Sequence, residues 1–343
     1  MGAIEYGCYS PADSDEALEL EARCIQGKKF QLRFARPYFH RRAENFHQWK
    51  ILTARSRTRL IGVFAGAIKE VAWRGRPTKA LFFFDARVDP EWRRSGVART
   101  LANQLIDWAA PNAEIGYTYT IGDNAAVTTL GKQWIGAEAS PGCAYLACPV
   151  YGNPTPSPDV RGADPAEVHA SMKASSGPFD LYADPAPAFD SDAVVGSWIY
   201  ARGSESAACS GWSNESILSE IIERVPAATR LAGEVLSRWP LNLRPWPHTP
   251  VAGERLRSWY LFDFHASGPE AAAELVNAVA AEARARGIDY CYVIHQQGAP
   301  WIPGLLRGFP KAFSPIVPFT ILARTLAGAP VRVERPYTDI RDV

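Results

Sequence analysis

Val88-Asp89-Pro90-Glu91-Trp92-Arg93-Arg94-Ser95-Gly96-Val97-Ala98-Arg99-Thr100-Leu101 is the stretch on which the fold turns. An apolar, aromatic run precedes it, Ala80 to Val88 with Leu81, Phe82, Phe83 and Phe84, and reads as a strand. Asp89-Pro90 ends that strand. Beyond the loop, Val97, Leu101, Leu105 and Trp108 are spaced for one face of a helix. A helix N-terminus offers unpaired N–H groups and a partial positive charge. Gly96 allows close backbone approach and Ala98 keeps the first turn narrow. Arg93 and Arg94 add full charge. These features describe a cradle for a phosphate or pyrophosphate. An ordinary strand–helix connection with solvated arginines is the plainer reading of the same residues.

Around this stretch the first half alternates. Ile4 to Tyr9, Lys50 to Arg55, Leu60 to Trp73, Ile115 to Ile121 and Cys143 to Val150 read as strands. Asp13 to Glu21, Tyr38 to Trp49 and Asn124 to Trp134 have helical composition, and Gly75-Arg76-Pro77 marks a turn. The second half repeats the later part of this order. Leu256 to His265, Ile288 to His295 and Ile316 to Arg324 read as strands, with helices at Glu270 to Arg286 and Trp301 to Arg307. The expected fold is therefore α/β with a mixed sheet, built from two related halves. Four prolines between Pro149 and Pro158 suit a semi-rigid connector. The expected division is 1–150, a linker over 151–165, a second domain over 166–330 and a tail over 331–343. The Trp239 to Pro250 cluster reads as an ordered loop.

The chain has 343 residues, a length for about two domains. Hydrophobic residues are 47% and charged residues 21%, a globular composition. With 37 Lys plus Arg against 36 Asp plus Glu, the formal charge of +1 gives no electrostatic case for nucleic acid or a membrane surface. No stretch approaches the roughly 18 apolar residues of a membrane span. Met1 to Ser10 does not read as a signal peptide. The six cysteines are scattered and form no CxxC pair, so reduced buried thiols, a cytoplasmic location and no metal are expected.

The loop is neither GxGxxG nor GxxxxGK[ST]. Arg93-x-x-Gly96-x-Ala98 instead resembles the [Q/R]xxGx[G/A] pyrophosphate loop of the GNAT superfamily of N-acetyltransferases. The strand exit Val88-Asp89-Pro90, the helix after the loop, the strand Ile115 to Ile121 and Asn124 opening the next helix fall in the same order. The resemblance covers roughly residues 1–150. It implies acetyl-CoA as co-substrate, an amine acceptor, a ternary complex and no metal. It implies strands that splay to admit the pantetheine arm, with a backbone N–H near Val88 polarising the thioester carbonyl. Arg93, Arg94, Ser95, Gly96, Val97 and Ala98 would hold the pyrophosphate, with Asn124 nearby. The second half resembles a degenerate GNAT-like domain, because Ser267-Gly268-Pro269-Glu270 brings an acid and no base to the matching helix start.

The sequence departs from the family where many members carry an acidic Tyr: Gly131 stands there. Tyr117 or Tyr119 could protonate the leaving thiolate, or both could be strand packing. Asp85, within an apolar strand, could be a base with a raised pKa, or could simply pair with Arg87 on an exposed face. Two functions follow: acetyl transfer to a primary amine, or a non-catalytic CoA-binding sensor or scaffold.

Overall fold

The structure is a computed structural model. It describes residues 3–342 other than 26, 28–29, 122–123, 177–178, 184–190, 229, 232–234, 236–245, 297–298 and 308–315. Trp239 lies outside the described residues, whereas Trp246 packs against Tyr151 at the start of the connector.

The first half runs β1 (Ile4–Cys8), α1 (Ser14–Ala22), β2 (Gln31–Ala35), β3 (Gln48–Ser56), β4 (Arg59–Trp73), β5 (Arg76–Val88), α2 (Val97–Ala109), β6 (Ile115–Ile121), α3 (Ala125–Thr129) and β7 (Glu138–Pro149). A π-helical turn, Leu130–Ile135, extends α3. The second half runs β8 (Val160–Gly162), α4 (Pro165–Ser176), β9 (Val194–Arg202), β10 (Glu205–Trp212), β11 (Ser219–Arg224), β12 (Ser258–Ala266), α5 (Pro269–Ala285), β13 (Tyr290–Gln296), α6 (Ile302–Leu306) and β14 (Ile316–Thr325).

One mixed sheet of 12 strands carries both halves, in the order β1-β3-β4-β5-β6-β14-β7-β13-β12-β10-β9-β8. The halves interlock at its centre. β14, late in the sequence, pairs antiparallel with both β6 and β7, and β7 pairs antiparallel with β13. Each half thus lends a strand to the other. Outside this exchange, β5 runs parallel to β6 and β12 runs parallel to β13. The arrangement reads the same from either end, an approximate twofold between β14 and β7.

The β5 alternation sorts its side chains to two faces. Leu81 and Phe83 pack with Val97, Leu101 and Leu105 of α2. Phe82 and Phe84 face the other side, with Phe39, Phe46 and Tyr117. The expected helix at Tyr38 to Trp49 is not formed. Phe39–Asn45 is a 3-10 turn and Gln48 begins β3. Eclipsed i, i+3 positions explain this, since Phe39, Arg42 and Asn45 are all buried on one side of the turn. Beyond β14 the chain returns across the Phe82 face, and Thr338 through Asp342 are buried there. A separate two-stranded arm, β2 with β11, joins one strand from each half.

The two halves differ at their second helices. In the second half, α6 lies against the first turn of α5 so closely that a β-carbon on Gly304 would sit 2.0 Å from the Pro269 carbonyl oxygen and 3.0 Å from the Ala272 β-carbon. In the first half, the corresponding helix rests on β14, where a β-carbon on Gly131 would meet the Leu322 Cδ1 at 2.6 Å. Backbone cannot yield as a leucine tip can. Gly304→Ala is therefore expected to cost roughly 1–3 kcal/mol, and Gly131→Ala clearly less. Urea unfolding of both variants checks the order, and equal losses would contradict the packing described.

Candidate acyl-CoA site

Two local features of β5 shape this region. Ala65 pairs with Phe84 and Val63 pairs with Arg87, so Asp85 and Ala86 together oppose Phe64 alone. This is a β-bulge, and Asp85 takes the left-handed conformation at φ 49°. Then β5 parts from β6. Their parallel pairing spans only Ala80 to Phe82 against Ile115 to Tyr117. At the fork, the Thr118 hydroxyl donates to the Phe83 carbonyl at 2.9 Å. The Asp89 N–H donates to the Ile61 carbonyl at 2.9 Å. Antiparallel alternation then turns the N–H of Val88 away from β4 and toward the gap.

The gap leads to the loop. The Asp89 carboxylate is buried, accepts from the Glu91 N–H, and pairs with Arg23 and Arg59. That fixes the strand exit. Arg94 at φ 65° and Gly96 at φ 88° then bend the backbone into α2. Only a glycine accepts the second of these without strain, and a β-carbon there would find just the Arg99 Nη2 at 3.7 Å. Arg93 and Arg94 are exposed, Ser95 donates its hydroxyl to the Trp92 carbonyl, and Val97 is buried. The structure thus places Arg93, Arg94, Ser95, Gly96, Val97 and Ala98 at the start of α2, beside the fork. Asn124 caps α3 by accepting from the Val127 N–H.

The expectation of a raised pKa at Asp85 is reversed. Burial pushes its carboxyl up, but the guanidinium groups of Arg36, Arg42 and Arg87 outweigh that and hold it well below the usual carboxylate range. Arg36 donates to Oδ2 at 2.6 Å and Arg42 to Oδ1 at 2.9 Å. Glu21 completes the cluster by accepting from Arg36 and Arg87. With both oxygens engaged, Asp85 is a clamp and too weak a base for an amine. The alternative of an Asp85–Arg87 pair is met in part: the two are paired at 3.8 Å, but both are buried and the pair is not on an exposed face.

Tyr117 and Tyr119 are brought together with Phe82, at ring separations of 5.3 to 5.6 Å. Burial, with the nearby Asp342 carboxylate, holds the Tyr117 phenol far above its ordinary pKa, and burial does the same at Tyr119. Lys69 pairs with Asp342 in the same region. Glu21, Arg36, Arg42, Lys69 and Asp342 were not singled out in the sequence. Their signal was charge at apolar positions, most visibly Lys69 within the run from Leu60 to Val71. A family-type tyrosine at Gly131 would have to displace the Leu322 side chain.

The second half has the same fork without the cradle. Cys209 alone opposes Asp263 and Phe264, and Asp263 has φ 50°. β12 parts from β13 after Leu261 and Val293. Beyond it, Gly268 is extended and α6 covers the start of α5. Asp263 holds His169, Tyr182 and Tyr337 instead of arginines. His265 meets Ser171 at 3.0 Å, and His295 lies edge-on to Trp301. Five of the six cysteines are buried, and none is in a disulfide. Among the described residues there is no group of three metal-ligating side chains, and no helix is long and apolar enough to cross a membrane.

Comparison with known proteins agrees with this geometry. Residues 16–129 match the model of the Acetyltransferase (GNAT) family. No curated protein sequence matches the chain. In fold the chain is similar to Saccharomyces cerevisiae N-myristoyltransferase with bound myristoyl-CoA, at TM-score 0.60 and 10% identity over 100% of this chain and 84% of that one. A structure of the same yeast enzyme with myristoyl-CoA and inhibitors gives TM-score 0.61 at 11% identity, over 99% and 85%. Residues 16–129 are thus similar to the GNAT family, and the chain as a whole has a tandem GNAT-like fold.

The Asp85 clamp carries a stability signature. Its folded pKa is depressed, so its contribution is present above the unfolded value of ~3.9 and is lost as pH falls below it. Asp85→Asn leaves buried guanidinium groups short of a counter-charge and should cost about 3–5 kcal/mol at pH 7. Urea titrations from pH 6 to 2.5 should show the wild type losing stability below pH ~4 more steeply than the variant. Parallel curves would contradict the clamp.

Proposed function

We propose that the chain transfers an acetyl group from acetyl-CoA to a primary amine, by direct attack in a ternary complex. The observation that carries this reading is the fork between β5 and β6, open at Val88 and ending at the Arg93–Ala98 loop. The first-turn N–H groups of α2, with Arg93 and Arg94, would take the pyrophosphate. The pantetheine arm would lie along the fork and bring the thioester carbonyl to the Val88 N–H. The amine nitrogen attacks the carbonyl carbon, a C–N bond forms, and the oxyanion is held by that N–H. As it collapses the C–S bond breaks, and the thiolate takes a proton. Tyr119, half-buried and held protonated, is our candidate donor with Tyr117 behind it; solvent could also serve a thiolate with an ordinary pKa near ~8.5.

An acetyl group suits the space. Phe46, Phe82, Phe84 and Tyr117 are all at most 7% exposed and pack ring against ring on the acceptor face. That filling argues against a long acyl chain on this side. We infer that residues 1–150 bind the co-substrate, that the second half shapes the acceptor side, and that the protein works in the cytoplasm. One observation favours a non-catalytic CoA-binding protein: Gly131, packed under Leu322, stands where the family's usual acid would be.

Release of free thiol from acetyl-CoA, dependent on added amine, separates the two readings. Gly96→Glu sets a β-carbon in the left-handed region at a cost of about 1–2 kcal/mol, and a carboxylate in the cradle. Calorimetry should show one acetyl-CoA per wild-type chain, and at least a tenfold weaker dissociation constant in the variant. Unchanged affinity would remove the cradle.

A further inference from the structure

Glu220 stands out among the acidic side chains. It lies on β11 directly opposite Phe34 of β2, so the two share the face of the arm turned to the main sheet. Its Oε2 accepts from the Tyr260 hydroxyl at 2.8 Å. Tyr260 and Tyr292 have ring centroids 5.4 Å apart, and Tyr292 stacks on Tyr145 at 4.7 Å. Burial against these rings pushes the Glu220 carboxyl up, and no cation offsets it. Among the described residues no Lys, Arg or His forms an ion pair with it. The neighbouring cation, Arg33, is opposite Ile221 on the other face of the arm and is engaged by Glu223. Yet Glu220 keeps a part of its surface open to solvent, as do Phe34, Tyr145 and Ile294 around it. A carboxyl enclosed by aromatic rings and without a counter-charge, on a residue that is not fully buried, is an arrangement suited to an alkylammonium ion.

Its position relates it to the fork. Phe34 also meets the Arg87 guanidinium, whose carbon is 5.6 Å from the ring centre, and Arg87 adjoins Val88. Tyr145 packs at the same time with Phe319 of β14, which pairs with Ile121 at the end of β6. Glu220 therefore lies on the same side of the sheet as the acceptor face, with Phe34 and Arg87 between it and Val88.

We propose that Glu220, with Tyr145, Tyr260 and Tyr292, binds a second cationic nitrogen of the acceptor, so that the preferred substrates are α,ω-diamines or polyamines. This rests on the acetyl-transfer reading above. The attacking nitrogen must reach the thioester uncharged, whereas the distal one stays an ammonium ion in the tyrosine-lined crevice.

The test uses the full chain with saturating acetyl-CoA. Initial rates of thiol release are compared for α,ω-diamines of two to eight carbons and for monoamines of matching length. Direct binding of the same amines is followed by calorimetry. The expected result is an optimum length at which the diamine KM is at least tenfold below that of its monoamine. Glu220→Gln, which keeps an acceptor for Tyr260, should erase this advantage, and Tyr260→Phe should reduce it; acetyl-CoA affinity reports that each variant is folded. No diamine advantage, or an advantage that survives Glu220→Gln, overturns the proposal and leaves Glu220 as a protonated structural partner of Tyr260. If no amine is acetylated, the transferase reading fails separately. Calorimetry then decides the crevice, since absence of Glu220-dependent diamine binding overturns the proposal by itself.

Discussion

The site depends on the bulge at Asp85. A strand that stayed regular through Phe84, Asp85 and Ala86 would continue alongside β6 and leave no fork. Asp85 instead adopts φ 49°, a conformation that costs an L-residue energy, and its carboxylate is clamped by Arg36, Arg42 and Arg87. Arg36 follows β2, Arg42 comes from the 3-10 turn, and Arg87 from β5 itself. One buried charge therefore ties three segments to the point where β5 bends. The bend sets the direction of Val88, and Asp89 with Arg23 and Arg59 sets the entry to the loop. The cradle is exposed and small, but its place is decided by this buried cluster.

The same device occurs twice. Phe84-Asp85-Ala86-Arg87 and Phe262-Asp263-Phe264-His265 occupy matching bulges, with the aspartates at φ 49° and 50°. In the second copy the partners are His169, Tyr182 and Tyr337, and α6 lies over the start of α5. The second copy has the fork but not the basic loop. The strand exchange makes this tolerable, because β14 completes the first half whatever the second half binds. It also links the two forks through the paired strands β14 and β7.

Much of this was legible from residues alone. The run from Phe82 to Leu101 indicated a strand, a basic loop and a helix, and all three are present. The acidic Glu270 and missing arginines marked the second half as different, and Gly268 and α6 explain it structurally. Other features were hidden for physical reasons. The exchange of β7 and β14 is a pairing between residues far apart in sequence, and alternation within a strand does not name its partner. β2 and β11 are short and only half-buried, so their pattern is weak. The β9–β10 hairpin had a signal in its tight turn at Gly203-Ser204, between apolar runs on both sides. The role of Asp85 was misread because its strand looks apolar, while two of its three arginines come from elsewhere. The shared Phe-Asp-x-(Arg/His) pattern is too short to notice before the bulges are seen.

The central claim is that one fork holds CoA and its counterpart does not. Amide hydrogen exchange with and without acetyl-CoA tests this at both places in one experiment. Protection should appear in peptides covering Val88 and Arg93 to Arg99, with exchange unchanged across Ser267 to Ala272. Protection of Ser267 to Ala272 on acetyl-CoA addition, or none at Arg93 to Arg99, would contradict the account.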